Sequence, residues 1–204
     1  MNPFQLTLLV TSLLLNNALA AGAAEFPIYF ESESTVHNLV TMTTNSKEWH
    51  FDSKTMRIDT TLKNNFGTFQ SSTITMNGTT YHLNHDKKTM MSRPMTREEK
   101  TTAVHEFSEA SINAAGMKFI EEKTFEGQPC KLYGGNIIRP AAQNNDGFGN
   151  IFWIRKSDNR LIRQEMKMGE NSTTTTNYRK ISTDPALFNR SLLVLPIGYN
   201  RTEK

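Results

Sequence analysis

The chain has 204 residues, a net charge of +3 at neutral pH and a single cysteine. So small a charge, spread along the chain without a basic block or basic helix, argues against nucleic acid as a partner. One cysteine excludes an internal disulfide, so packing must hold the fold, and Cys130 is expected as a buried, inert thiol.

The N-terminus carries an apolar stretch from Leu6 to Leu15, followed by Ala18-Leu19-Ala20. The stretch is shorter than the roughly 20 residues that span a bilayer. The small-x-small ending is the pattern that signal peptidases cut after. The reading is a signal peptide over residues 1–20 and one domain over 21–204, exported to a periplasm or secreted. No later segment is apolar enough to cross a membrane. No cysteine near the cleavage site would carry acyl chains. Asn77, Asn171, Asn189 and Asn200 each open an N-x-S/T sequon. In a chain this rich in Asn and Thr, chance accounts for them.

Beyond the leader, alternation with period 2 dominates. The chain reads as extended from Phe26 to Thr43, and Trp49 and Phe51 share a face before a turn at Asp52-Ser53-Lys54. Met56, Ile58, Thr60 and Leu62 then fall on one face, and Thr55, Arg57, Asp59 and Thr61 on the other, which is half-buried antiparallel strand chemistry. A run from Thr68 to Met76 meets Asn77-Gly78 and continues from Thr79 to His85. Asn-Gly between such runs is the strongest short hairpin signal, because both turn positions need positive φ. Asp86-Lys87-Lys88 turns the chain again into Thr89-Met90-Met91, and Pro94 stops that strand.

Thr96 and Glu99 form a capping box, Ala103, Phe107, Ala110 and Ala114 recur at helical spacing, and Gly116 offers a stop. Strands resume over Met117–Phe125 and Pro129–Ile138, with a turn between them at Glu126-Gly127-Gln128. The polar segment Pro140–Gly149 is a loop. Ile151-Phe152-Trp153-Ile154 is apolar on both faces and so reads as a central strand. Leu161–Met168 places Ile162, Met166 and Met168 opposite Arg163, Glu165 and Lys167. Ser172–Ile181 is a Thr-rich last strand, and Asp184–Phe188 looks like one helical turn. Nine or ten strands in one domain must curl into a barrel or half-barrel, or split into a sandwich.

Catalytic signals are poor. No G-x-S-x-G, H-E-x-x-H, P-loop or G-x-G-x-x-G occurs. His82 and His85 are three apart, so on a strand their rings point to opposite faces and hold no metal together. Glu48, Asp52 and Asp59 are close in sequence, and solvated strand charges explain them better than a general acid/base pair. No catalytic residue, metal or cofactor is expected. Nine methionines beyond Met1, mostly in strands, fit an irregular core or a surface that accepts apolar ligands.

Three segments together resemble the LolA/LolB-like superfamily. They are Lys54-Thr-Met-Arg57-Ile-Asp, the hairpin pair from Ile74 to Met91, and the stretch from Ile151 through Asp184-Pro-Ala-Leu-Phe188 to Leu195-Pro196-Ile-Gly198-Tyr199. The resemblance implies a mainly β domain with one or two helices: an open antiparallel half-barrel with a helix across its concave face. It also implies a lid contact for Arg57. With a single strong lid helix and no clear basic entry, this chain departs from the periplasmic lipoprotein carriers of that superfamily. On that reading the chain is a non-enzymatic binding protein holding a lipid, an acyl chain or another apolar ligand. Its partner would be a lipid or an acylated protein. The candidate lining is Met56, Ile58, Tyr81, Leu83, Phe107, Trp153, Ile162 and Met166. The rival readings are a cell-envelope interaction protein with a filled interior and an exported hydrolase.

Overall fold

The computed structural model describes residues 26–37, 41–95, 116–135, 149–167 and 172–202. The expected signal peptide, the Thr96–Ala115 helix with Phe107, and most of the Pro140–Gly149 loop lie outside the described residues. The strands are β1 (Ile28–His37), β2 (Met42–Asp52), β3 (Thr55–Asn64), β4 (Gly67–Met76), β5 (Thr79–Asn84) and β6 (Thr89–Pro94). They continue with β7 (Lys118–Phe125), β8 (Gln128–Gly135), β9 (Asn150–Arg155), β10 (Leu161–Lys167), β11 (Thr173–Ser182) and β12 (Asn200–Thr202). All twelve form one sheet in the order β12-β6-β5-β4-β3-β2-β1-β11-β10-β9-β8-β7. Its edges, β12 and β7, do not pair with each other, so the sheet is open, in keeping with a half-barrel.

Local chemistry explains most of the connections. Asn77 and Gly78 sit at φ 53° and 74°, which closes the β4–β5 hairpin with Met76 opposite Thr79. Turns at Ser53-Lys54 and Glu126-Gly127 join β2 to β3 and β7 to β8. The step from β1 to β11 is a long-range one. It brings the first described strand against Thr173–Ser182 in antiparallel register and joins the two halves of the sheet.

Residues paired across antiparallel strands share a face. One face carries Ile28, Phe30, Tyr133, Phe152, Ile154, Leu161 and Tyr178, a buried cluster completed by Met117. It also holds a buried polar pair, Glu48 and His50, 3.1 Å apart. Phe30 stacks on His50 at 5.4 Å and meets Tyr178 edge-on at 6.0 Å. The opposite face carries Arg57, Asp59, Ile74, Leu83 and Met90. β9 packs apolar residues on both faces, as its uninterrupted apolar run predicts: Phe152 and Ile154 fully buried on the first, Ile151 and Trp153 partly buried on the second.

Two details differ from the alternation. Ile162 is expected beside Met166, but the β9–β10 register shifts between Leu161 and Arg163. The extra residue in that bulge turns Ile162 to the other face, where it packs with Cys130 and Leu132. β11 is also not the last strand. After it the chain makes short 3-10 turns at Pro185–Leu187 and Arg190–Leu193 and returns as β12, parallel to β6. Asp184 and Asn189 start those turns by accepting from the amides of Ala186 and Ser191 at 3.0 and 2.9 Å.

Burial pushes the Tyr178 hydroxyl well above the ordinary tyrosine value, and the Glu48 carboxylate adds to the effect. A raised folded value means full stability below the unfolded pKa of about 10 and loss above it. Alkaline titration of unfolding is therefore expected to show stability falling above pH ~10, by up to about 1.4 kcal/mol per pH unit from this residue. Tyr178→Phe should flatten that fall. An unchanged slope would contradict the assignment.

Candidate functional site

The Arg57 face holds a pocket of about 360 Å3 in the middle of the sheet, within the size range of small-molecule sites. Strand register explains its floor. Ser72, Asp59, Lys47, Glu31 and Arg179 follow one another across β4, β3, β2, β1 and β11, each opposite the next. A second row, Gln70, Thr61, Asn45 and Glu33, runs beside it. Charges of opposite sign therefore alternate across neighbouring strands, the arrangement that favours cross-strand pairs.

A chain of hydrogen bonds crosses one end. Arg57 Nε donates to Asp59 Oδ1 at 2.7 Å, and Ser72 Oγ donates to the same oxygen at 2.6 Å. Ser72 Oγ is also 2.7 Å from His85 Nε2, and His85 Nδ1 is 2.6 Å from the Tyr199 hydroxyl. Ser72 has one hydroxyl proton and Asp59 takes it, so Nε2–H must donate to Oγ. In the neutral ring Tyr199 then donates to Nδ1. His85 thus faces Ser72 as a donor, the wrong sense for a general base activating a nucleophile.

The same residues tie down the C-terminal segment. Arg57 Nη1 donates to the Leu192 carbonyl at 2.7 Å. Leu193, Leu195 and Tyr199 pack on the buried cluster of Ile74, Leu83 and Met90. Phe188 meets Phe51 edge-on at 5.6 Å, and the Asn200 amide donates to the Lys88 carbonyl at 2.9 Å. Arg57 thus helps to hold residues 183–202 against the sheet.

At the other end of the pocket, Glu31 accepts from the Tyr29 hydroxyl at 2.6 Å. That bond holds the carboxyl below its usual range against the pull of burial, with Lys180 and Lys47 assisting. Arg179 pairs with Glu126 at 3.2 Å. Trp49 lies two residues beyond Lys47 on the same face, half-buried, with its ring 5.2 Å from Tyr29.

The residues expected to line one apolar hollow divide into three groups. Met56, Ile58 and Met166 lie on the Phe30 face. Tyr81 and Leu83 pack beneath the C-terminal segment on the Arg57 face. Trp153 and Ile162 join Cys130 and Leu132 beside the distal strands. Among the described residues, Arg57 alone of the proposed set lines the pocket, whose floor is charged and hydroxylated. Period 2 sets the first group on the other side of the sheet from the rest, and strand order separates the second group from the third along their shared face. His82 and His85 do diverge, His82 toward Thr73 and His85 toward Ser72.

Sequence reasoning missed Asp59, Ser72 and His85 as a set. The Asn77-Gly78 turn carried part of the signal, since counting back from it sets Ser72 opposite Leu83, two residues before His85. Tyr199 had no local signal, being 114 residues from His85.

No family model matches the chain, and no curated protein matches it significantly. Among solved structures, an uncharacterized conserved protein from Thermus thermophilus aligns with 98% of this chain and 99% of its own, at 7% identity and a TM-score of 0.50. That likeness concerns the fold alone. A LolA superfamily protein from Nitrosomonas europaea aligns with 85% of this chain and 92% of its own at 7% identity, with a TM-score of 0.23, too low to relate the two folds.

Proposed function

We propose that this chain is an exported, non-enzymatic binding protein that holds a small amphipathic molecule, such as a lipid, on the Arg57 face of its open sheet. The observation that carries this reading is the pocket itself: about 360 Å3, at mid-sheet, with a polar floor and the half-buried Trp49 indole next along the same face. A polar head would seat on the floor, and an apolar portion would lie against Trp49 and Tyr29. An apolar ligand alone would strip water from Lys47, Glu33 and Asp59 without replacing it, which is costly. An acyl chain without a head group is therefore disfavoured in this pocket.

The absence of catalysis rests on two supports. The Ser72 proton is directed at Asp59, so His85 does not serve as its base, and the Asp59 oxygen that accepts it is already shared with Arg57. The pocket floor is built on strands whose amides are engaged in ladders, so among the described residues the floor offers no free pair of N–H groups to an oxyanion. Export rests on the leader pattern; N-terminal sequencing of the secreted chain should begin at Ala21.

Binding is tested by native mass spectrometry of the purified chain and by tryptophan fluorescence with single-chain amphiphiles. The chain has two tryptophans, so Trp153→Phe isolates Trp49. The expected result is an amphiphile adduct and a Trp49 response that saturates. No adduct, together with a flat fluorescence trace, would remove this reading.

A further inference from the structure

We infer that the pocket recognises a zwitterion, with Lys47 taking the anionic group and Glu33 the cationic one. This rests on the binding reading above and names the class of head group. The argument starts from which charges are already engaged. Asp59 accepts from Arg57 and Ser72. Glu31 accepts from Tyr29 and Lys180, and Arg179 pairs with Glu126. Lys47 and Glu33 remain: among the described residues neither makes a hydrogen bond or an ion pair, and Lys47 acts on Glu31 only through its field. Both line the pocket.

Their placement fits one small molecule. Glu33 lies opposite Asn45, and Lys47 is two residues further along the same strand, so the two are diagonal neighbours on adjacent strands. Such neighbours are roughly 7–8 Å apart between backbones, within reach of long side chains. A molecule carrying an anion and a cation a few bonds apart can touch both. Asn45, Thr61 and Gln70 surround them with amide and hydroxyl groups that make no side-chain hydrogen bond among the described residues. These groups suit the neutral oxygens of such a ligand.

Charge balance points the same way. Glu31, Glu33 and Asp59 are offset by Lys47, Arg57 and Arg179 around the pocket, so no net field draws in a simple anion or cation. A singly charged ligand would cover one free charge and leave the other stripped of water and unpaired, at a cost a zwitterion avoids.

Phosphocholine, choline and methyl phosphate, titrated into the purified full chain by calorimetry, test this directly. Vesicles of phosphatidylcholine and of phosphatidylglycerol separate a lipid head group from a free zwitterion. Phosphocholine is expected to bind at least about tenfold more tightly than either half. Lys47→Gln and Glu33→Gln should each weaken it by about tenfold; neither residue has a partner in the fold to lose. Binding to phosphocholine but not to vesicles assigns a free zwitterion, and binding to phosphatidylcholine vesicles as well assigns the lipid head. Equal affinity for choline or methyl phosphate, or variants indistinguishable from the parent, would overturn the inference. An amphiphile adduct and Trp49 response that both variants leave intact would overturn it while sparing the wider binding reading.

Discussion

Phe30→Ala is expected to lower the unfolding free energy by about 3–5 kcal/mol. Phe30 is 1% exposed and belongs to the largest of the core clusters among the described residues. Its ring is held on one side by His50 and on another by Tyr178. Truncation removes the apolar burial and leaves a cavity that β-strands locked in register on both sides cannot close. The position also sits on β1, the strand that joins the two halves of the sheet, so the loss acts at the seam. For a chain of this size each kcal/mol corresponds to roughly 2–4 °C, so a fall of about 10 °C in Tm is expected. Phe66, 82% exposed at the β3–β4 turn, is the control: Phe66→Ala should stay within about 0.5 kcal/mol of the parent. Urea unfolding of both variants checks the pair. Equal losses would mean the seam is not where the core energy lies.

Asp59→Ala is expected to destabilise by about 2 kcal/mol and to loosen the C-terminal segment. One oxygen of Asp59 accepts from both Arg57 and Ser72. Ser72 is 2% exposed and is left with His85 alone as a side-chain partner, so its hydroxyl carries most of the cost. Arg57 is more accessible but loses the carboxylate that aims its guanidinium at the Leu192 carbonyl. Once that contact weakens, residues 183–202 depend on Tyr199, the Leu193 and Leu195 packing and the short β12 pairing. Limited proteolysis should therefore cut the variant within this segment sooner than the parent. Asp59→Asn keeps an acceptor oxygen and should lose about half as much. If Asp59→Ala matches the parent in both stability and cleavage rate, the hydrogen-bond chain does not anchor the segment.

The two residues differ in how far each could be read from sequence. Phe30 sits in an apolar run, and its burial follows from composition. Asp59 alternates with Ile58 and Thr60, so its face was legible, but its partners were not. Ser72 reaches it through the β3–β4 register, and His85 and Tyr199 extend the chain through contacts far apart in sequence. Ile162 shows the opposite failure. Its alternation with Met166 was clear, and one inserted residue in the β10 ladder reversed its direction. A bulge leaves no mark in a hydrophobic pattern, because the pattern records parity and the bulge changes it.

By itself the sequence determined the strand character of the chain, the Asn77-Gly78 hairpin, the double-sided burial of β9 and the faces of Met56 and Arg57. These are properties of residues near one another, set by period-2 alternation and by turn positions that demand positive φ. Only the tertiary structure decided which strands meet, that β12 returns to the β6 edge, and that the mid-sheet pocket is charged instead of apolar. Those outcomes depend on cross-strand register between distant segments. Shifting one strand by a single residue moves every side chain to the other face, and no local pattern specifies that choice.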